Sequence, residues 1–182
     1  MMHWVIVATQ FFVPLMEWCH SIELAMRQIP GTKKLGRHRM RVHRNHRSLT
    51  WYIVVRNPYA REYSHYCYRR NNRPRSALKR RVLDMTFSEY VQSHTSDPQR
   101  WEDVTQSEWF EAIKPDKVLR FEELPECVTN LPWWPSVKFP HKSRASIASW
   151  QDAYDEETAM RVLDWARMDF EQFGYDPAVP GI

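Results

Sequence analysis

Residues 51–66 read WYIVVRNPYAREYSHY, and this stretch decides the fold. Its first five residues, WYIVV, are continuously apolar, β-branched or aromatic, the composition of a strand covered on both faces, as in a parallel sheet. Arg56-Asn57-Pro58 then predicts a direct turn into a helix. Asn is a favoured N-cap, and Pro tolerates the first helical position, where its missing N–H costs nothing. Upstream, residues 4–13 (WVIVATQFFV) carry the same buried-strand signature. A loop follows, and a short helix starting at Ser21 (SIELAMRQ) ends at Pro30-Gly31. Two strand-loop-helix units in succession predict an α/β fold with a parallel sheet flanked by helices. A chain of 182 residues, 43% of them apolar, is long enough to bury a core of its own, so a single domain over residues 1–182 is expected.

Downstream, residues 87–93 and 106–113 predict short helices, and residues 117–121 (KVLRF) a third strand. Residues 132–150 are rich in Pro and Trp and read as an irregular surface loop. The last element is a helix over residues 155–173, with Ala159, Leu163, Ala166, Phe170 and Phe173 on one face at spacings of three and four. Asp155 and the glutamates after it suit its N-terminus, and Gly174 suits its C-terminus.

Composition excludes several classes of function. With only 4 glycines, neither a GxGxxG dinucleotide turn nor a GxxxxGK phosphate loop can be written. The three cysteines, Cys19, Cys67 and Cys127, are far apart and lack CxxC spacing, which argues against a disulfide framework or a zinc knuckle and for a reducing, cytoplasmic compartment. The apolar opening is interrupted by Gln10 and Pro14 and is too short for a membrane helix, which needs roughly 20 residues. It also lacks the basic segment and cleavage site of a signal peptide.

The net charge of +4 conceals a division. Residues 1–100 hold 18 Lys and Arg against 6 Asp and Glu, whereas residues 101–182 hold 8 against 16. No acidic residue lies between Glu23 and Glu62, where ten basic residues do, so this half should attract a polyanion or a phosphorylated ligand. Within it, the strand at 51–55 should deliver Arg56 to the carboxyl edge of a sheet, where open α/β folds bind ligands. The helix after it should offer free N–H groups to an anion. Ser64 lies two helical turns on, and a guanidinium and a hydroxyl at this spacing are suited to grip one phosphate.

The string R-N-P-Y-x-R-x-x-S-x-Y after a hydrophobic strand resembles the segment of sulfotransferases that binds the 3′-phosphate of 3′-phosphoadenosine-5′-phosphosulfate (PAPS). VLRFEEL (118–124), preceded by Gln106-Ser107-Glu108-Trp109, and the closing YDEET…DFEQFGYDP (154–177) are similar in type and order to the carbohydrate sulfotransferases and their phage and bacterial relatives. The resemblance implies a P-loop-like parallel sheet, PAPS as co-substrate, no metal, and a hydroxyl acceptor, with an anionic glycan fitting the basic half. It assigns the 3′-phosphate to Arg56 and Ser64, and gives Arg61 a structural role at the turn and toward neighbouring carboxylates. Lys142 and Ser143 fall in the loop that closes on the nucleotide. Gln106, Trp109 and the Trp133-Trp134 pair are suited to sugar contacts, since aromatic faces stack on sugar rings, the tryptophans being equally suited to core packing, and Glu122 reads as a structural partner of an arginine.

The first loop departs from the family pattern. Where relatives carry a segment resembling PKTGSTS, this chain has Leu15-Met16-Glu17-Trp18-Cys19-His20-Ser21, with Met16 at the expected lysine. Cys19 and Ser21 remain as contacts for the 5′-phosphosulfate through the loop and helix start. His20, Arg27 or Lys33 would have to replace the lost cation, which neutralises the bridging oxygen as the sulfuryl group leaves. For the base that accepts the acceptor proton, the family's position before the second strand points first to His38, with His43 and His46 as alternatives. The residues leave two other functions open. One is a catalytically degenerate binder of nucleotide or polyanion. The other is a basic nucleic-acid-binding protein, although no RRM, KH or helix-turn-helix signature is present.

Overall fold

The computed structural model describes Gln28, residues 50–71, 81–96 and 104–131, Trp134 and residues 149–179. These fall into two compact units, one within Met1–Val55 and Trp109–Ser143, the other within Arg56–Glu108 and Arg144–Ile182. The described residues are mixed and helix-rich, with a small two-stranded parallel sheet among them. Among the described residues no helix is long and apolar enough to cross a membrane.

The first unit contains the sheet. Strand β1 (Tyr52–Val55) pairs in parallel with β2 (Lys117–Arg120), Tyr52 opposite Lys117 and Val55 opposite Arg120. Every residue of β1 is buried, as its uniform apolar composition predicts. The pairing is anchored one residue earlier, where Trp51 N–H donates to Asp116 Oδ2 at 2.7 Å and Trp51 O accepts from the amides of Asp116 and Lys117. Helix α4 (Glu126–Thr129) packs on β2, and Cys127 Sγ lies 3.5 Å from Arg120 O.

The second unit is helical. Its elements are α1 (Pro58–Asn71), a 3₁₀ turn at Arg81–Leu83, α2 (Phe87–Ser96), a 3₁₀ turn at Trp150–Ala153, α5 (Glu156–Trp165) and α6 (Arg167–Phe173). Helix α3 (Gln106–Ile113) begins in this unit and ends in the other. Asn57 is the N-cap of α1, and its Oδ1 accepts from the amides of Tyr59 at 3.0 Å and Ala60 at 3.3 Å. Thr86 with Glu89 and Thr105 with Glu108 form reciprocal capping boxes at the starts of α2 and α3. Asp155 caps α5 by accepting from Thr158 N at 2.7 Å.

The predicted helix over 155–173 is two helices. At Ala166 the backbone turns to φ −105° and ψ 20°, and Asp169 N bonds to Ala166 O three residues back, tightening the junction. The predicted apolar face survives the break, with Ala159, Ala166, Phe170 and Phe173 buried and Leu163 packed against the core. Gly174 closes α6 in the left-handed region at φ 63°, a conformation glycine adopts without Cβ strain.

Aromatic rings dominate this core. Tyr59 of α1 packs edge-on to Tyr154 and tilted on Phe170, while Phe87 meets Tyr63, Tyr66 and Tyr154. Two of the phenols find acceptors: Tyr59 donates to Pro177 O at 2.7 Å and Tyr154 to Tyr59 O at 2.8 Å. Burial pushes the Tyr59 hydroxyl up to about 12 and Tyr154 well above the usual phenol range.

Candidate functional site

Chain order brings Arg56 directly after β1 and directly before the N-cap of α1, the position expected of a phosphate ligand. Its backbone is held on both sides by one side chain. Arg56 N–H donates to Gln106 Oε1 at 2.8 Å, and Gln106 Nε2 donates to Arg56 O at 2.8 Å. The Gln106 amide also donates to Asp169 Oδ2 at 3.2 Å, and Asp169 accepts from the amides of Gln106 at 2.9 Å and Ser107 at 2.7 Å. Asp169 is 0% exposed, so its carboxylate acts as a remote cap on the first turn of α3.

One expectation is corrected here. The start of α1 does not hold free N–H groups for an anion, because Pro58 has none, Tyr59 and Ala60 donate to Asn57 Oδ1, and Arg61 N donates to Asn57 O at 2.9 Å. The same Asn-Pro pair that makes the helix legible uses up its donors. A phosphate at this turn would be held by side chains with the helix dipole behind them.

Ser64 lies on α1, about 10 Å along the axis from the N-cap at 1.5 Å per residue, and is buried. Between Asn57 and Ser64 the helix carries Arg61, which is 0% exposed. Arg61 Nη1 donates to Glu62 Oε1 at 3.1 Å, Nη2 donates to Val104 O at 2.6 Å, and the guanidinium lies over the Trp165 ring at 5.6 Å. The Glu62 contact matches the carboxylate partnership expected of Arg61. His94 of α2 completes the cluster, with Nε2 at 2.8 Å from Glu62 Oε2 and Nδ1 at 3.0 Å from Tyr90 O. Both ring nitrogens face acceptors, the Nε2 contact being a close approach and not an aligned hydrogen bond. Burial pushes the Glu62 carboxyl up, but His94 and Arg61 outweigh it and hold the group well below the usual carboxylate range. His65, also on α1, is held down to about 3 by burial, and its Nε2 finds no hydrogen-bond partner among the described residues.

Gln106 and Trp109, expected to contact an acceptor, are each 2% exposed, and the Gln106 amide is engaged with Arg56 and Asp169. Arg69 and Arg70, near the end of α1, lie over the rings of Tyr90 and Tyr66, and Arg70 also donates to the Tyr66 hydroxyl. Met16, Cys19, His20, Ser21, His38, His43, His46, Lys142 and Ser143 lie outside the described residues. The Arg61–Glu62–His94 cluster and the Asp169 cap are structural features that sequence reasoning missed. The two T-x-x-E boxes at 86–89 and 105–108 carried a readable signal for where α2 and α3 begin.

No protein-family model, no curated protein and no solved structure matches the chain.

Proposed function

We propose that the chain is a PAPS-dependent sulfotransferase with a P-loop-like fold, transferring a sulfuryl group to a hydroxyl acceptor, with a carbohydrate as the favoured class. The observation that carries this reading is the strand, turn and helix of residues 52–71, in which an apolar strand ends at Arg56, Asn57 caps the helix, and Ser64 follows two turns on. In this reading Arg56 and Ser64 hold the 3′-phosphate. His38 takes the proton from the acceptor hydroxyl as its oxygen attacks sulfur in line, and adenosine 3′,5′-bisphosphate leaves. His20, Arg27 or Lys33 supplies the cation that Met16 does not.

A second reading is favoured by Met16 itself. With no lysine at that position, a relative that binds the nucleotide without turning it over is the expected product of losing transition-state stabilisation while keeping the 3′-phosphate grip. Calorimetric titration with adenosine 3′,5′-bisphosphate separates these readings from all others. Binding is expected in the wild type and is lost in Arg56→Ala, and no heat at millimolar nucleotide excludes both. Sulfate transfer from PAPS to a panel of glycans then decides between enzyme and binder.

A further inference from the structure

We propose that Gln106 is a positioning residue for Arg56, fixing the backbone from which the phosphate-binding guanidinium extends. The inference rests on the function proposed above and adds to it a part that the motif around Arg56 does not contain.

A guanidinium that recognises one phosphate geometry needs a fixed base. Its two-pronged hydrogen bonding is directional, and small displacements at its base are carried to its tip. A residue leaving a strand and not yet in a helix lacks a ladder on one side and helical bonds on the other. At Arg56 the missing bonds are supplied by one primary amide, which accepts from Arg56 N–H and donates to Arg56 O, both at 2.8 Å. Only Gln or Asn carries such a donor and acceptor pair, and Asn is shorter by one methylene.

The clamp is itself held. Asp169 accepts from Gln106 N and Nε2 and from Ser107 N, so the residue bearing the clamp is fixed at both backbone and side chain. Immediately before it, Arg61 Nη2 ties down Val104 O at 2.6 Å, and Thr105 closes the capping box with Glu108. The Asp169 bonds are buried and out of competition with bulk water, while the clamp bonds to Arg56 are part-buried. The buried ion cluster and the remote cap thereby meet at one purpose, which is to hold residues 104–107 rigid behind Arg56.

The test compares Gln106→Met, which keeps volume and removes both clamp bonds, with Val91→Ala, which loosens the buried core at α2 away from Arg56. Adenosine 3′,5′-bisphosphate affinity is measured by calorimetry alongside thermal stability, and the Arg56 amide is followed by hydrogen exchange. Gln106→Met should weaken nucleotide binding about tenfold, as expected for losing two hydrogen bonds that order a ligand group. It should also speed exchange at Arg56 while leaving Val54 protected, and Val91→Ala should lower stability and leave affinity unchanged. A Gln106→Met protein that binds like wild type, or retains Arg56 protection, overturns the proposal. A wild type that binds no nucleotide overturns the functional reading, and the exchange result then still decides whether Gln106 fixes Arg56.

Discussion

The turn that opens α1 and the interior of the same helix use arginine in opposite ways. Arg56 is part-buried with its backbone clamped by Gln106, whereas Arg61 is 0% exposed and commits its guanidinium to Glu62, Val104 and the face of Trp165. The difference lies in what each side chain meets. Arg61 lies within the helix, where it meets Glu62 beside it and the Trp165 ring of α5, while Arg56 precedes the helix. A count of positive charges in this stretch therefore says little about ligand binding until each cation has been matched with its neighbours.

Mutation should separate the two regions most sharply at Arg61. Arg61→Ala leaves Glu62 buried without its arginine and removes the tie to Val104, and it should cost about 3–5 kcal/mol in urea unfolding, close to loss of the fold. Arg56→Ala should cost under about 1 kcal/mol in the same experiment while abolishing nucleotide binding. Equal destabilisation by the two substitutions would erase the distinction.

Acid should act on the interior of α1. His65 is neutral in the fold and protonated in the unfolded chain between pH 6.5 and about 3, so the unfolded state binds more protons there and stability falls as pH drops through that range. Glu62 shifts in the same direction of stability, because its lowered value makes the unfolded carboxylate the first to protonate as pH falls below about 4.5. Denaturation midpoints between pH 7.5 and 4.5 should decline, and His65→Leu should flatten that part of the curve. At the turn, Asn57→Ala should cost about 1 kcal/mol through the loss of its two amide contacts.

Local elements were legible in the sequence because local residues specify them. WYIVV and KVLRF gave β1 and β2, Asn57-Pro58 gave the start of α1, and Asp155 and Gly174 gave the outer ends of α5 and α6. The break at Ala166 was hidden, since alanine is the best helix former and the apolar period runs through it unchanged. What could not be read were partnerships without a period. Glu62 meets His94 on another helix, and Asp169 caps a turn more than sixty positions earlier, each through side chains whose spacing leaves no pattern. The donors at the start of α1 were misjudged for a related reason. Asn57 was correctly recognised as the cap, but a cap strong enough to mark the helix also consumes the groups an anion would use.

The reach of the contacts made by Tyr59 bears on how the chain is synthesised. Its hydroxyl bonds to Pro177 O, 118 positions later, and its carbonyl accepts from Tyr154, 95 positions later. At translation rates of roughly 5–20 residues per second, α1 emerges from the ribosome on the order of 5–25 seconds before the residues that cover it. Through that interval a face carrying Tyr59, Tyr63 and Tyr66 has no α5 or α6 to pack against, so the nascent chain presents an aromatic surface that a ribosome-associated chaperone is suited to shield.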